Sequence, residues 1–352
     1  DRIEYANDTA TALVRSYTGP AGYNAAVGNV DYAYWAGGNP SSTVMRTDYA
    51  NDTTNAVEKG YLATASLAMS GAGNKDYGYF GGLSPGKSST SRIDYSNDTA
   101  TGLERGSLSS TGYMTAASGN SNFGYWSGGP AIGSRVDRLD YANDLANMAT
   151  KGNYTSPKQN KRSATGTSNF GYIGGGNPAP IVTIVDRIDY SNDTAAIVAR
   201  GPLASARYYL ASVSSQENGL GQQQFFTIST PFAFGENSRT TAIDNYFIGH
   251  GYVAGGPGNA PAPSKHTHVD RVDFSNDMVQ SSIRSPLPEG TNGMGAVSSQ
   301  THAYLFGGGY SPTVSYISRI DYSNDTGAVS PRGNTAVERR WWASIGNLNF
   351  GW

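Results

Sequence analysis

Side chains able to do chemistry are few in this chain: four histidines, His250, His266, His268 and His302, and no cysteine among 352 residues. His266 and His268 stand two apart, which in extended backbone turns both imidazoles to one side. That is half of a tetrahedral metal site. No third ligand follows at ligand spacing, so the pair is only a weak metal candidate, and the expectation is no metal and no cofactor. Without cysteine there is no disulfide, thiolate metal site or cysteine nucleophile. The HExxH motif is missing. The glycine runs are not read as phosphate loops, because no helix pattern follows them. The chain is expected not to be an enzyme.

The charged residues that recur do so in one phrase. It reads DRIEYAND at Asp1, MRTDYAND at Met45, SRIDYSND at Ser91 and DRLDYAND at Asp137, then DRIDYSND at Asp186, DRVDFSND at Asp270 and SRIDYSND at Ser318. In extended backbone the Arg and the acid two residues on share one face, and the apolar residue and the Tyr share the other. If both faces are covered by neighbours, the charges must be neutralised. The expected pairs are Arg46/Asp48, Arg92/Asp94, Arg138/Asp140, Arg187/Asp189, Arg271/Asp273 and Arg319/Asp321, with Arg2/Glu4 in the first copy, each Arg meeting an acid of its own or a neighbouring repeat. The phrase ends in Asn-Asp, and those aspartates (Asp8, Asp52, Asp98, Asp144, Asp193, Asp277, Asp325) are open to two readings. Asn and Asp favour tight turns, or the carboxylates could bind calcium, although no D-x-D-x-D-G loop accompanies them. Five copies continue as N-D-T (Asn7, Asn51, Asn97, Asn192, Asn324), and Asn153-Tyr-Thr adds a sixth acceptor sequence. These would be unused in a phage or bacterial protein and glycan sites on one rim in a secreted eukaryotic one.

The spacing of the phrase fixes the elements that hold it. Its arginines lie 44, 46, 46, 49, 84 and 48 residues apart, a period in the range of propeller blades. Before most copies runs an aromatic stretch ending in glycines: YAYWAGG at Tyr32, YGYFGG at Tyr77, FGYWSGG at Phe123, FGYIGGG at Phe170, and looser forms at Gly251 and Ala303. Each period then supplies four short strands: a small-residue stretch, the aromatic run, the Arg phrase, and an outer segment such as TAAIVARGPL at Thr194. Short strands at regular spacing with turn signals between them indicate an all-β fold, and the strict long period selects a seven-bladed β-propeller with four-stranded blades. The chain opens on the last two strands of a repeat and closes on the first two, so strands from both termini would complete one blade and close the ring. Closure removes free edges.

Composition agrees with this reading. Length alone would suggest two or three domains at about 150 residues each, but the repeat makes residues 1–352 one domain. Glycine is about 13% of the chain and DEKR only 15%, which suits glycine-punctuated strands. No apolar run reaches the 18 residues of a membrane span, and a net charge of −2 offers no basic stripe for nucleic acid. The first residue, Asp1, suggests a processed chain or a fragment. The long fifth period carries an insertion at about residues 215–241, whose Phe225, Phe226, Phe232 and Phe234 are expected to bury against the ring or another chain.

The aromatic-Gly-Gly strand, the Arg strand ending in Tyr-x-Asn-Asp and the period near 48 resemble kelch-type propeller repeats. The wording R-I-D-Y-S-N-D-T, R-G-P-L and N-F-G-Y/W-x-G-G resembles the kelch-like repeats of virion structural and tail-fibre proteins of marine bacteriophages. The resemblance implies a virion location, with a secreted or cell-surface protein as the alternative. It also implies other virion or fibre subunits as partners. The connections after the aromatic strands differ widely in length and wording, which on a uniform scaffold suits recognition. The expected function is therefore non-enzymatic: a receptor-binding module that presents these loops to host-surface glycans. A purely structural capsid or filament subunit, and a carbohydrate-active enzyme on the same fold, stand as alternatives. Replacing Arg187 with Leu is expected to lower the melting temperature; an unchanged value would mean that the arginine neutralises no buried acid.

Overall fold

The computed structural model describes residues 3–4, 23–38, 41–51, 55–83, 86–129, 133–155, 161–177, 181–214, 250–257, 266–309 and 313–335 (except 275, 285, 300 and 328), and 350–351. They form six four-stranded antiparallel sheets in chain order. Sheet I comprises Ala25–Gly28, Tyr32–Ala36, Ser41–Asp48 and Val57–Ser66, and sheet II comprises Ser70–Gly73, Tyr77–Gly81, Thr90–Asp94 and Leu103–Arg105. Sheet III is Ala116–Gly119, Phe123–Ser127, Arg135–Asp140 and Ala149–Asn153; sheet IV is Ser163–Gly166, Phe170–Gly174, Val185–Asp189 and Val198–Arg200. Sheet V is Ala211–Ser214, His250–Ala254, Val269–Asp273 and Ser282–Arg284; sheet VI is Gly295–Ser298, His302–Phe306, Tyr316–Asp321 and Ser330–Asn334. Every sheet is a simple meander, and the first strands of successive sheets touch one another in order. The architecture is propeller-like and all-β.

A two-stranded sheet joins the ends of the chain, with Ile3 opposite Gly351 and Glu4 opposite Phe350. Sheet III has the same register between its aromatic strand and its Arg strand, with Leu139 opposite Gly124 and Asp140 opposite Phe123. The two termini therefore pair in the register that an aromatic strand and an Arg strand have inside the chain. Among the described residues the 84-residue step holds a single sheet, and residues 215–249 connect its first strand to its second. The expected insertion, with Phe225, Phe226, Phe232 and Phe234, lies outside the described residues, as does Arg2.

The core lies between sheets rather than within one. On each aromatic strand the third residue faces the following sheet and the fourth faces the preceding one, as a strand's period of two requires. Tyr79 thus packs with Trp126, Leu139 and Tyr141 of sheet III, while Phe80 packs with Val27, Tyr34 and Val44 of sheet I. The same alternation sends Tyr125 towards Ile173 and Ile188 of sheet IV, and Trp126 back towards sheet II. Both faces are buried, and that is why the aromatic run has no polar face.

Glycine directly after the outer strands of sheets II and IV, Gly106 and Gly201, follows from the same close approach. A Cβ on Gly106 would lie 1.9 Å from the Ala146 carbonyl oxygen, and one on Gly201 only 1.4 Å from that of Val279. The N–H of Gly106 donates to the Asp144 carbonyl at 2.8 Å, and that of Gly201 to the Asp277 carbonyl at 2.6 Å. The outer strand of one sheet thus touches the turn of the next through bare backbone.

A second set of backbone bonds runs across the starts of the first strands. Tyr23, Ala68, Met114, Lys161 and Tyr209 all have left-handed backbone, with φ of 63°, 55°, 55°, 56° and 52°, and Gly293 joins them at 64°. The N–H of Ala68 donates to the Tyr23 carbonyl, Met114 to Ala68, Lys161 to Met114, Tyr209 to Lys161 and Gly293 to Tyr209, at 2.9, 2.7, 3.3, 3.0 and 3.4 Å. These six residues form a belt from sheet to sheet, on the side of the sheets where the second-to-third-strand connections also lie.

Gly201→Ala is expected to destabilise the protein by about 1–3 kcal/mol, the usual range for forced overpacking. Gly174→Ala, whose nearest neighbour would be an ordinary 3.5 Å away, is the control. Chemical denaturation of the two variants checks this.

Candidate functional site

The recurrent charges meet between sheets, at a joint repeated five times among the described residues. Arg46 Nη1 lies 2.7 Å from Asp98 Oδ2, Arg92 2.7 Å from Asp144, Arg138 2.7 Å from Asp193, Arg187 2.7 Å from Asp277 and Arg271 2.9 Å from Asp325. The partner is therefore the Asn-Asp turn of the next repeat. This corrects the expected pairs Arg46/Asp48, Arg92/Asp94, Arg138/Asp140, Arg187/Asp189 and Arg271/Asp273. The physical reason is reach: residues two apart on a strand project in parallel about 6.8 Å apart, whereas the neighbouring turn sets a carboxylate in front of the guanidinium.

The acid of each Arg phrase has a different task. Asp94 Oδ1 accepts from the N–H and hydroxyl of Ser96, Asp189 Oδ1 from those of Ser191, and Asp321 Oδ1 from those of Ser323. Asp48 accepts from the N–H of Ala50 and Asp140 from that of Ala142. These carboxylates shape the turn that carries the joint aspartate. The Ser191 and Ser323 hydroxyls, ahead of the backbone N–H donors, hold Asp189 and Asp321 below the ordinary carboxylate pKa. Arg319, from the pair expected with Asp321, lies opposite Tyr304, as Arg138 lies opposite Tyr125. In sheet V, Asp273 is 3.9 Å from His250.

Each joint aspartate also accepts from a tyrosine hydroxyl on the same Oδ2: Tyr34 to Asp98 at 3.0 Å, Tyr79 to Asp144, Tyr125 to Asp193 and Tyr172 to Asp277 at 2.8 Å, and Tyr252 to Asp325 at 2.9 Å. A cation of the outer strand approaches Oδ1: Lys59 at 3.7 Å, Arg105 at 3.2 Å, Lys151 at 3.3 Å, Arg200 at 3.4 Å and Arg284 at 3.6 Å. Three donors from one sheet thus converge on one carboxylate of the next. In four joints the arginine also lies over an aromatic ring, 4.2–4.4 Å from its centroid: Tyr32, Tyr77, Phe123 and Phe170. The tyrosine in turn stacks on the aromatic residue of the next phrase, as Tyr79 does on Tyr141 at 4.9 Å and 11°. A carboxylate that already faces two cations is a poor calcium ligand, so the turn reading of Asp98, Asp144, Asp193, Asp277 and Asp325 is the one the geometry favours.

The tyrosines and the outer-strand cations were not singled out from the sequence. Their signal was present: a Tyr two residues into nearly every aromatic run, and Lys-Gly or Arg-Gly after most outer strands. Between sheets III and IV the joint borders a cavity of about 120 Å3, lined by Lys151, Arg187, Asp193 and Arg200. Its charged walls already belong to this joint and, through Arg187 and Arg200, to the next.

His266 and His268 come together, with rings 5.2 Å apart. His268 Nδ1 lies 3.2 Å from the Ser205 hydroxyl. Burial first, and then the nearby Arg207 cation, lower both imidazole pKa values. The acid that alternation puts on their side, Asp270, is engaged by Arg207, the Ala204 N–H and the Ser281 hydroxyl. No group of three metal-ligating side chains gathers among the described residues.

The belt carries the remaining cluster. Tyr208 and Tyr209 have ring centroids 5.3 Å apart, and Lys161 Nζ lies over both, at 5.5 and 4.7 Å. Tyr23 and Tyr113 are 39% and 38% exposed. Burial, reinforced by Tyr23, Tyr208 and Tyr113, pushes the Tyr209 phenol up to about 12. Two buried arginines adjoin this cluster in the chain, Arg162 next to Lys161 and Arg207 next to Tyr208. Arg207 is fully buried, pairs with Asp270 and donates to the carbonyls of Gly255 and His268 at 2.9 and 3.0 Å. Arg162 lies 4.2 Å over the Tyr154 ring and 3.5 Å from Asp186. Nothing periodic in the sequence marks these tyrosines.

Asp193→Asn is expected to cost about 2–3 kcal/mol, because it leaves Arg138 and Lys151 without their anion. Asp189→Asn, which only weakens a turn, should cost about 1 kcal/mol; the reverse order in urea titrations would refute the joint. Alkaline pH offers a second test. Burial first, then the joint carboxylate, raises Tyr79, Tyr125 and Tyr172 far above the ordinary phenol value. A raised folded pKa gives stability that is complete below the unfolded value of about 10 and is lost as pH climbs beyond it. Phenolate absorbance of these tyrosines should therefore appear together with loss of the β circular-dichroism signal above about pH 10.

No protein family matches the chain, and no curated protein matches it. Among solved structures, 484 chains are similar to it. One of these, the structure of YjhT, is similar over 91% of this chain and 99% of its own, with a TM-score of 0.63 and 10% sequence identity. The likeness is one of fold.

Proposed function

We propose that this chain is a non-enzymatic recognition module, a closed seven-bladed ring that presents one face to a cell-surface glycan, carried on a virion appendage such as a tail fibre. One observation carries the reading. The recurrent Arg and Asp residues described in five joints are consumed by packing one sheet on the next. What differs from sheet to sheet sits on the face of the second-to-third-strand connections and the belt. Identical joints with dissimilar residues at one rim make a scaffold and a reader. The pairing of the two termini, in the register of an internal blade, supports the seventh blade. The wording of the repeat phrase supports the virion setting.

A second reading, a structural subunit without a ligand, is favoured by the outer strands. Val57, Leu103, Val198 and Ile283 are 51%, 51%, 46% and 49% exposed on strands that end their sheets. Exposed apolar residues on edge strands invite association.

A glycan array probed with the labelled full chain separates the two. Binding that is lost when residues 177–183 and 257–265 are replaced by Gly-Ser linkers is the expected result. Ordered self-association in light scattering, with an empty array, would replace recognition by the structural reading.

A further inference from the structure

The belt holds side chains where glycine would fit without strain. A left-handed residue other than glycine costs about 1–2 kcal/mol, and Tyr23, Ala68, Met114, Lys161 and Tyr209 all bear that cost. Gly293 makes the same bond in the same place without it. Glycine is abundant here, and it takes the left-handed positions after the aromatic strands, such as Gly128, Gly129, Gly255 and Gly256. Strain kept where a cheaper residue is available points to function. At three of the five positions the side chain is a tyrosine or a lysine.

The chemistry of the cluster narrows the ligand. A tyrosine ring offers an apolar face and a polar tip, which matches the C–H face and the hydroxyl rim of a pyranose. The Lys161 ammonium brings three donors. Lys59 and Lys151 spend theirs on Asp98 and Asp193, whereas no carboxylate lies within ion-pair distance of Lys161 among the described residues. It rests on the ring faces of Tyr208 and Tyr209 instead. The adjoining Arg162 and Arg207 are already matched by Asp186 and Asp270. Among the described residues this cluster thus has one cation to share, at the edge of an aromatic platform.

We propose that the mouth formed by Tyr23, Tyr113, Lys161, Tyr208 and Tyr209 binds a carboxylate-bearing sugar ring, stacked on the tyrosines with its carboxylate on Lys161. This rests on the recognition reading and supplies the place and chemistry that the reading leaves open. A charge-assisted bond to the ammonium is stronger than a neutral one, so the carboxylated sugar is selected over its neutral counterpart.

The test is calorimetry on the full chain with uronate-containing oligosaccharides and their neutral analogues, chosen from an array of both. The wild-type chain should bind the uronate form about ten-fold more tightly or better. Lys161→Asn should erase that preference, and asparagine tolerates the left-handed backbone, so its melting temperature should not fall. Tyr208→Ser should weaken both sugars about ten-fold. Equal binding of the two sugars by wild type would overturn the ligand class. Uronate binding untouched by both variants would overturn the site and leave the recognition reading standing. An array with no bound glycan would overturn the recognition reading itself, and this inference with it.

Discussion

One carboxylate per joint, the second residue of an Asn-Asp turn, is the contact on which the rest of the architecture depends. Each receives an arginine, a tyrosine hydroxyl and an outer-strand cation from the preceding sheet. The same repeat that supplies these donors also supplies an acceptor to the sheet before it. Sheets therefore join head to tail. A head-to-tail contact of constant geometry generates either a ring or an open helix, and pairing of the terminal strands brings the two ends of this chain together.

The joint explains features that look unrelated along the chain. Glycine after the outer strand lets the next turn approach closely enough for its carboxylate to be reached. The acid of the Arg phrase shapes the turn, so the two acids of one repeat act in series rather than competing for one arginine. The arginine lies on an aromatic ring while it pairs, and its guanidinium face and edge are both used. A buried pair adds little net stability against an apolar substitute, but losing one partner is costly. The joint therefore fixes which sheet packs on which, while the apolar core beneath it supplies most of the driving force.

The belt and the mouth follow another rule. Where the joints are nearly identical, the belt residues share only their backbone, a left-handed turn that passes one hydrogen bond from sheet to sheet. Backbone bonds leave the side chains free to vary, and here they vary from Ala to Tyr to Lys. Next to Lys161 and Tyr208 in the chain, Arg162 and Arg207 are held by fully buried aspartates, so the varied side chains stand on a rigid base. A repeat protein can in this way keep one geometry and write different chemistry onto each unit.

The sequence by itself determined the strands, their order and the period, because burial on both faces leaves an aromatic run and a fixed phrase in every repeat, and a strand's period of two is legible in either. It also showed that arginines and aspartates must be matched. Which arginine meets which aspartate was decided only by the tertiary structure. Arg187 and Asp277 are far apart in the chain, and nothing in the spacing of one phrase states how far the next sheet's turn reaches over it. The grouping of Tyr23, Tyr113, Lys161, Tyr208 and Tyr209 was likewise invisible, since the residue type at the belt changes from one repeat to the next. Local pattern records what a residue must be buried against in kind; only the rotation of one sheet relative to the next brings particular side chains to the same place.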